Sequence, residues 1–134
     1  MNVKDQGALT MRVTEHVFGD AAVLDVDGRL TCLDADGVLE RTVERLARHG
    51  VRTIVANLVN VSVMDAVGLG ALVGAYRASA EQLITFRLVH VPRRIRRLID
   101  ITGLAAVLEM FDSLDAALGA SQSASLMARD SCRC

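Results

Sequence analysis

Aromatic side chains are almost missing from this chain. Of 134 residues three are Phe, one is Tyr and none is Trp, which leaves no set of rings on which successive bases of a nucleic-acid strand could stack. An excess of charge of one sign is missing too. Fifteen Lys and Arg against sixteen Asp and Glu give a formal net charge of -1, so no global field draws the protein to nucleic acid or to an anionic membrane. No apolar run reaches the ~18–20 residues that span a bilayer. The best stretch, Val63 to Ala75, carries Asp65 near its start and is closed by Arg77. Residues 1–10 show neither an apolar core nor a small-residue cleavage site, so no secretory leader is expected and the cytoplasm is the expected compartment.

Cysteine is scarce and odd in number. Cys132 and Cys134 stand one residue apart and Cys32 is alone, which is neither a disulfide framework nor a zinc-finger spacing. The C-terminal pair is expected not to be structural, with a redox role for Cys32 as the second reading. His16, His49 and His90 are isolated along the chain, with no second ligand at helical or hairpin spacing, so no metal is expected. No Ser sits in a G-x-S-x-G elbow. Gly68-Leu69-Gly70 suggests a dinucleotide loop, but the fingerprint wants a third Gly where this chain has Val73, and no G-K-[ST] follows. These glycines are expected to permit close packing of a helix on a sheet.

What is present is the pattern of one globular α/β domain. Hydrophobic residues are 51% and charged residues 23%, a balance that can bury a core, and the length suits one domain. Met11, Val13 and Val17 alternate with Arg12, Thr14 and His16 as in a half-buried strand. Gly19-Asp20 signals a turn, and Ala22 to Val26 follows as a second strand ending at Asp27-Gly28, which makes an antiparallel hairpin. Leu39, Val43, Leu46 and Ala47 recur at helical spacing, with Asp34 or Asp36 as candidate cap and Gly50 as stop. Thr53 to Leu58 is a β-branched run that fits a buried strand. A second helix beginning near Asp65 is expected to bury Leu69, Leu72, Val73, Tyr76 and Ala80. Phe86 to Val91 is the next strand. Pro92 opens a third helix with Ile95, Leu98, Ile99 and Thr102 inward and Gly103 at its end. Val107 to Phe111 is a last strand, and Ser113 opens a short helix through Leu118. Strands alternating with helices imply a mostly parallel sheet carrying the N-terminal hairpin. Residues 120–134, rich in Ser and Ala, are expected to be disordered.

Two segments invite a functional reading. Arg93-Arg94-Ile95-Arg96-Arg97 is the one charge run: either a solvated helix face, with Arg96 and Asp100 as a weak i,i+4 pair, or a surface for an acidic partner. Met64-Asp65-Ala66-Val67-Gly68-Leu69-Gly70 places Asp65 as N-cap where a strand passes into a helix, and in parallel α/β sheets ligands and partners gather at such ends.

The stretch Thr53 to Leu58 followed by Met64-Asp65-Ala66-Val67-Gly68-Leu69-Gly70 resembles the signature of the STAS domain, a strand ending D-L-S, a short loop and then M-D-S-S-G-L-G. Gly28-Arg29-Leu30 resembles the family's early turn, and Arg96-Arg97-Leu98-Ile99-Asp100-Ile101-Thr102-Gly103-Leu104 its later R-L-L-x-x-T-G-L element. The resemblance covers residues 11–119, with 1–10 as an extension. It implies a mixed, mostly parallel sheet with an N-terminal hairpin and helices packed against it.

For function the resemblance implies a non-enzymatic anti-sigma factor antagonist without a cofactor of its own. The implied partner is an anti-sigma factor of the histidine-kinase-like ATPase fold, to which any ATP would belong; neither nucleic acid nor membrane is expected as a partner, and a weak homodimer is allowed. The implied contact residues are Asp65, Ala66, Val67, Gly68 and Leu69 with Val59, Asn60 and Ser62 of the preceding loop, and the Gly28–Asp34 loop beside them. An accessory subunit of an ABC-type transporter is the alternative. In antagonists of this family the first Ser after the motif Asp is phosphorylated. Here that position is Ala66 and the next is Val67, while Asn57 replaces the usual strand-end Asp and Thr31 stands where an Asp commonly follows the G-R-L turn. The fold is expected to survive these changes, and the phosphorylation switch is not.

Overall fold

The computed structural model describes residues 11–31 and 37–119. Its elements run β1 (Arg12–Phe18), β2 (Ala21–Leu30), α1 (Val38–Arg48), β3 (Thr53–Asn57), β4 (Val61–Met64), α2 (Ala66–Glu81), β5 (Thr85–Val89), α3 (Arg93–Ile101), a 3-10 turn (Leu104–Ala106) and β6 (Glu109–Phe111), then a helix over 114–119, here α4. The sheet order is β1-β2-β3-β5-β6, with β4 off this path and paired to β2. Among the described strands only β1 runs antiparallel, forming the hairpin with β2; β2–β3, β2–β4, β3–β5 and β5–β6 are parallel.

Side-chain alternation sends Ala22, Leu24 and Val26 of β2, Ile54 and Ala56 of β3, and Phe86 and Leu88 of β5 into one core. α1, α2 and α3 all cover that face, contributing Leu39, Val43 and Leu46, then Leu69, Leu72, Ala75 and Ala78, then Ile95 and Ile99. α1 is amphipathic, with Glu40, Arg41, Glu44 and Arg48 exposed, and Arg45 reaches across to the Glu15 carboxylate of β1, which holds the guanidinium proton more firmly still. The opposite face is thinner. Val23, Val55 and Val89 meet Ala117 of α4, flanked by Phe111, Leu114 and Leu118. Arg87 is buried there, bonded to Glu109 at 2.8 Å and lying 5.3 Å from the Phe111 ring centroid.

The fold class and hairpin agree with the sequence pattern, and several details do not. The segment expected to be a loop over 59–62 is partly strand, because Val61 to Met64 pairs with Gly28 to Leu30. β2 does not stop at Asp27-Gly28; Gly28 takes a φ of 98 and the register shifts after it, so the strand bulges and continues. In α2 the buried side is Gly68, Leu69, Leu72, Gly74, Ala75, Ala78 and Ser79, leaving Ala80 exposed and Val73 and Tyr76 half-buried. A helix apolar on every side has no stripe to reveal its inner face.

Gly37, in a left-handed conformation, is the N-cap of α1; Asp34 and Asp36 lie outside the described residues. Pro92 precedes α3 as its N-cap rather than opening it. Thr102 is exposed and turns its hydroxyl back onto the Leu98 carbonyl at 2.9 Å. Arg96 approaches Asp112, 3.8 Å away on the β6 side. β5 and β6 are shorter than expected, ending at Val89 and beginning at Glu109. The Ser113 start of α4 agrees, its hydroxyl accepting from the Ala116 N–H at 3.0 Å. Cys32, Cys132, Cys134 and the 120–134 tail lie outside the described residues.

Candidate functional site

The end of β2 and the start of α2 are pressed together. Asp65 has extended backbone and its Oδ1 accepts from the Gly68 N–H at 2.8 Å, satisfying one of the free donors at the head of α2. Gly68 rests on Leu30: a Cβ at this position would overlap the Leu30 carbonyl oxygen and lie 2.6 Å from its carbonyl carbon. The glycine reading of close helix-on-sheet packing therefore holds at Gly68. It does not hold at Gly70, where a Cβ would meet nothing within 4 Å. The preceding loop is tied down by Gly28 N–H to Asn60 O at 3.0 Å and by the Ser62 hydroxyl to Gly28 O at 3.2 Å.

The structure brings the sequence-derived residues together at one edge of the molecule. Val59, Asn60, Ser62, Ala66 and Val67 are exposed, Asp65 is half-buried, and Gly68 and Leu69 are buried beneath them. Sequence reasoning missed Val63. It is 47% exposed, and with Val59 at 53% and Val67 at 55% it gives this edge three outward-facing valines. Solvent-facing apolar residues gathered at one edge mark a contact surface more often than scattered ones do. Beside them a shallow groove of about 120 Å³ runs between β4 and the head of α3, lined by Ser62, Val63, Met64, Pro92, Arg94 and Leu98. The Arg94 guanidinium reaches the Ser62 carbonyl at 3.5 Å. The 59–67 segment thus carries exposed valines, with a cation beside its Ser62.

The Asp65 carboxylate serves the helix start, and Ala66 and Val67 carry no nucleophile. Asn57, at the end of β3, donates from Nδ2 to Asp25 Oδ1 at 3.0 Å and accepts from the Val59 N–H at 3.2 Å through Oδ1. The amide therefore does what an Asp could not, since a carboxylate has no hydrogen to offer Asp25. The histidines are less isolated than their spacing suggested, because His16 and His90 line one cavity with Asp25 and Asn57. Among the described residues no group of three His, Cys, Asp or Glu is placed to hold a metal ion, and no helix is long and apolar enough to cross a membrane.

The STAS domain family matches residues 8–117, nearly the whole folded span. The chain belongs to the STAS domain family. A segment of 66 residues is 39% identical to the anti-sigma-B factor antagonist of Staphylococcus epidermidis, covering 49% of this chain and 61% of that relative. The chain thus spans about three fifths of the length of the curated relatives it matches. Among solved structures, an anti-sigma factor antagonist from Mycobacterium paratuberculosis superposes with a TM-score of 0.70 at 23% identity, covering 83% of this chain and 93% of that one. The anti-sigma factor antagonist SpoIIAA of Bacillus, in its unphosphorylated form, superposes with a TM-score of 0.68 at 19% identity over 85% and 97% of the two chains. At these identities the structures speak for the fold, and the STAS fold is what they share.

Proposed function

We propose that this STAS domain is an anti-sigma factor antagonist, a protein that binds an anti-sigma factor and thereby governs sigma-dependent transcription. The observation that carries the reading is the exposed edge around the Asp65 cap, where Val59, Val63 and Val67 face solvent and Arg94 stands beside them. The names of the matched relatives point the same way. The partner would be an anti-sigma factor of the histidine-kinase-like ATPase fold, contacted through Asp65, Ala66, Val67 and the 59–63 segment, with Gly68 and Leu69 shaping that surface from below. The protein acts by binding rather than catalysis, and ATP belongs to the partner.

Ala66 distinguishes this antagonist from those switched by a phosphoserine. It has no hydroxyl to receive a phosphoryl group, and neither has Val67. The site stays competent to bind whatever the kinase activity of its partner, and control passes to expression level or to another surface. Affinity capture of the tagged protein from its host, followed by mass spectrometry, tests the assignment. Recovery of an anti-sigma factor, lost in the Ala66→Glu variant, supports it; recovery of transporter ATPase subunits in its place overturns it.

A further inference from the structure

His16 and Asp25 of the β1–β2 hairpin, Asn57 at the end of β3 and His90 just after β5 all line one cavity of about 140 Å³ at the α4 side of the sheet, together with apolar residues that include Phe18 and Val89. A cavity of ~150 Å³ is large enough for a benzene ring. Asp25 Oδ2 lies 2.9 Å from His16 Nε2 and Oδ1 lies 3.0 Å from Asn57 Nδ2. A carboxylate has about four lone-pair positions, so these two bonds leave acceptor capacity. Among the described residues no Lys or Arg lines the cavity. With its hydrogen on Nε2 facing Asp25, a neutral His16 has an acceptor at Nδ1. His90, held at a φ of 54, adds a second imidazole. The Phe18 ring is 56% exposed and presents an aromatic surface, which attracts cations. The cavity therefore holds one carboxylate with spare acceptor capacity, two imidazoles and an apolar side.

We propose that this cavity binds a small organic ammonium ion, a primary amine on an apolar body no larger than a benzene ring. Its N–H groups are donated to Asp25 and to the imidazoles, and its body lies against Phe18 and Val89. The chain of bonds from Asp25 through Asn57 to the Val59 N–H makes the Val59 amide a reporter of occupancy.

Nitrogen-15 NMR titration of the full chain with benzylammonium, benzyl alcohol and benzoate tests this. The expected result is saturable shifts at the Asp25, Asn57, Val59 and His90 amides with benzylammonium, at least tenfold weaker binding of the alcohol, and none of benzoate. Asp25→Asn should erase the preference for the ammonium ion over the alcohol. His90→Gly, which suits the left-handed backbone, should weaken benzylammonium several-fold with the rest of the spectrum unchanged, and it decides the matter if Asp25→Asn does not fold. Absence of saturable shifts with benzylammonium, equal affinity for ammonium and alcohol, or undiminished binding by a folded variant would overturn the proposal.

Discussion

Gly68 at the head of α2 lies so close to the Leu30 carbonyl at the end of β2 that the smallest side chain would overlap backbone atoms. Backbone cannot swing aside as a flexible side chain can. Gly68→Ala should therefore cost about 2–3 kcal/mol and lower Tm by roughly 10 °C. Gly70→Ala, with open space around its Cβ, should be neutral or raise stability by about 0.5–1 kcal/mol. Thermal melts of the two variants side by side check both. Equal behaviour would show that Leu30 yields.

Asn57→Asp places a second carboxylate about 3 Å from Asp25 in place of an amide donor. Like charges at that range resist joint ionisation, so one carboxyl of the pair titrates higher in the folded than in the unfolded chain. A raised acid pKa destabilises the fold at high pH, and the deficit shrinks as pH falls through the folded-state value. The variant should be about 1–2 kcal/mol less stable than wild type at pH 7, with the gap closing towards pH 4. Denaturant melts at both pH values measure this, and a gap independent of pH refutes it.

Ala66→Glu introduces a negative charge into the first turn of α2, where the helix dipole favours it. Tm should stay near the wild-type value. Binding to an anti-sigma partner should weaken at least tenfold, about 1.4 kcal/mol, because the charge enters an apolar contact surface. Unchanged affinity by calorimetry would remove this edge from the interface.

Arg93 and Arg94 are exposed at the head of α3. Replacing both with Glu should change stability by less than about 0.5 kcal/mol, yet slow association with an acidic partner, most visibly at low salt. Stopped-flow association at two ionic strengths separates steering from contact. An on-rate unaffected at low salt returns this helix face to plain solvation.

The hairpin, α1, β3 and α3 were legible in the sequence because each carries its own period and its own punctuation. The Asp65 cap was legible for the same reason, a short polar side chain standing three residues before a glycine N–H that needs an acceptor. β4 was not. Of its four residues only Val61 is buried, while Ser62 and Val63 are both exposed, so no alternation marks it as a strand. β2 was misjudged at its end because Asp27-Gly28 has the composition of a turn and the geometry of a bulge. The cavity around His16 and His90 was beyond reach, since nothing local joins the hairpin residues 16 and 25 to 57 and 90; the registers of β2 on β3 and of β3 on β5 do so.

β2 leads two lives along its ten residues. Its first part, Ala21 to Asp25, is held on both sides, by β1 and by β3, whereas among the described residues Gly28 to Leu30 has only the four-residue β4 as a strand partner. Amide protection against hydrogen exchange should divide at the bulge accordingly, high before Asp27 and low after it, because less structure must open to release the distal segment. The strand Val61–Met64 hangs from that distal segment. Exchange confined to that segment should therefore reach β4 and the Val59–Val67 edge while the central sheet stays protected.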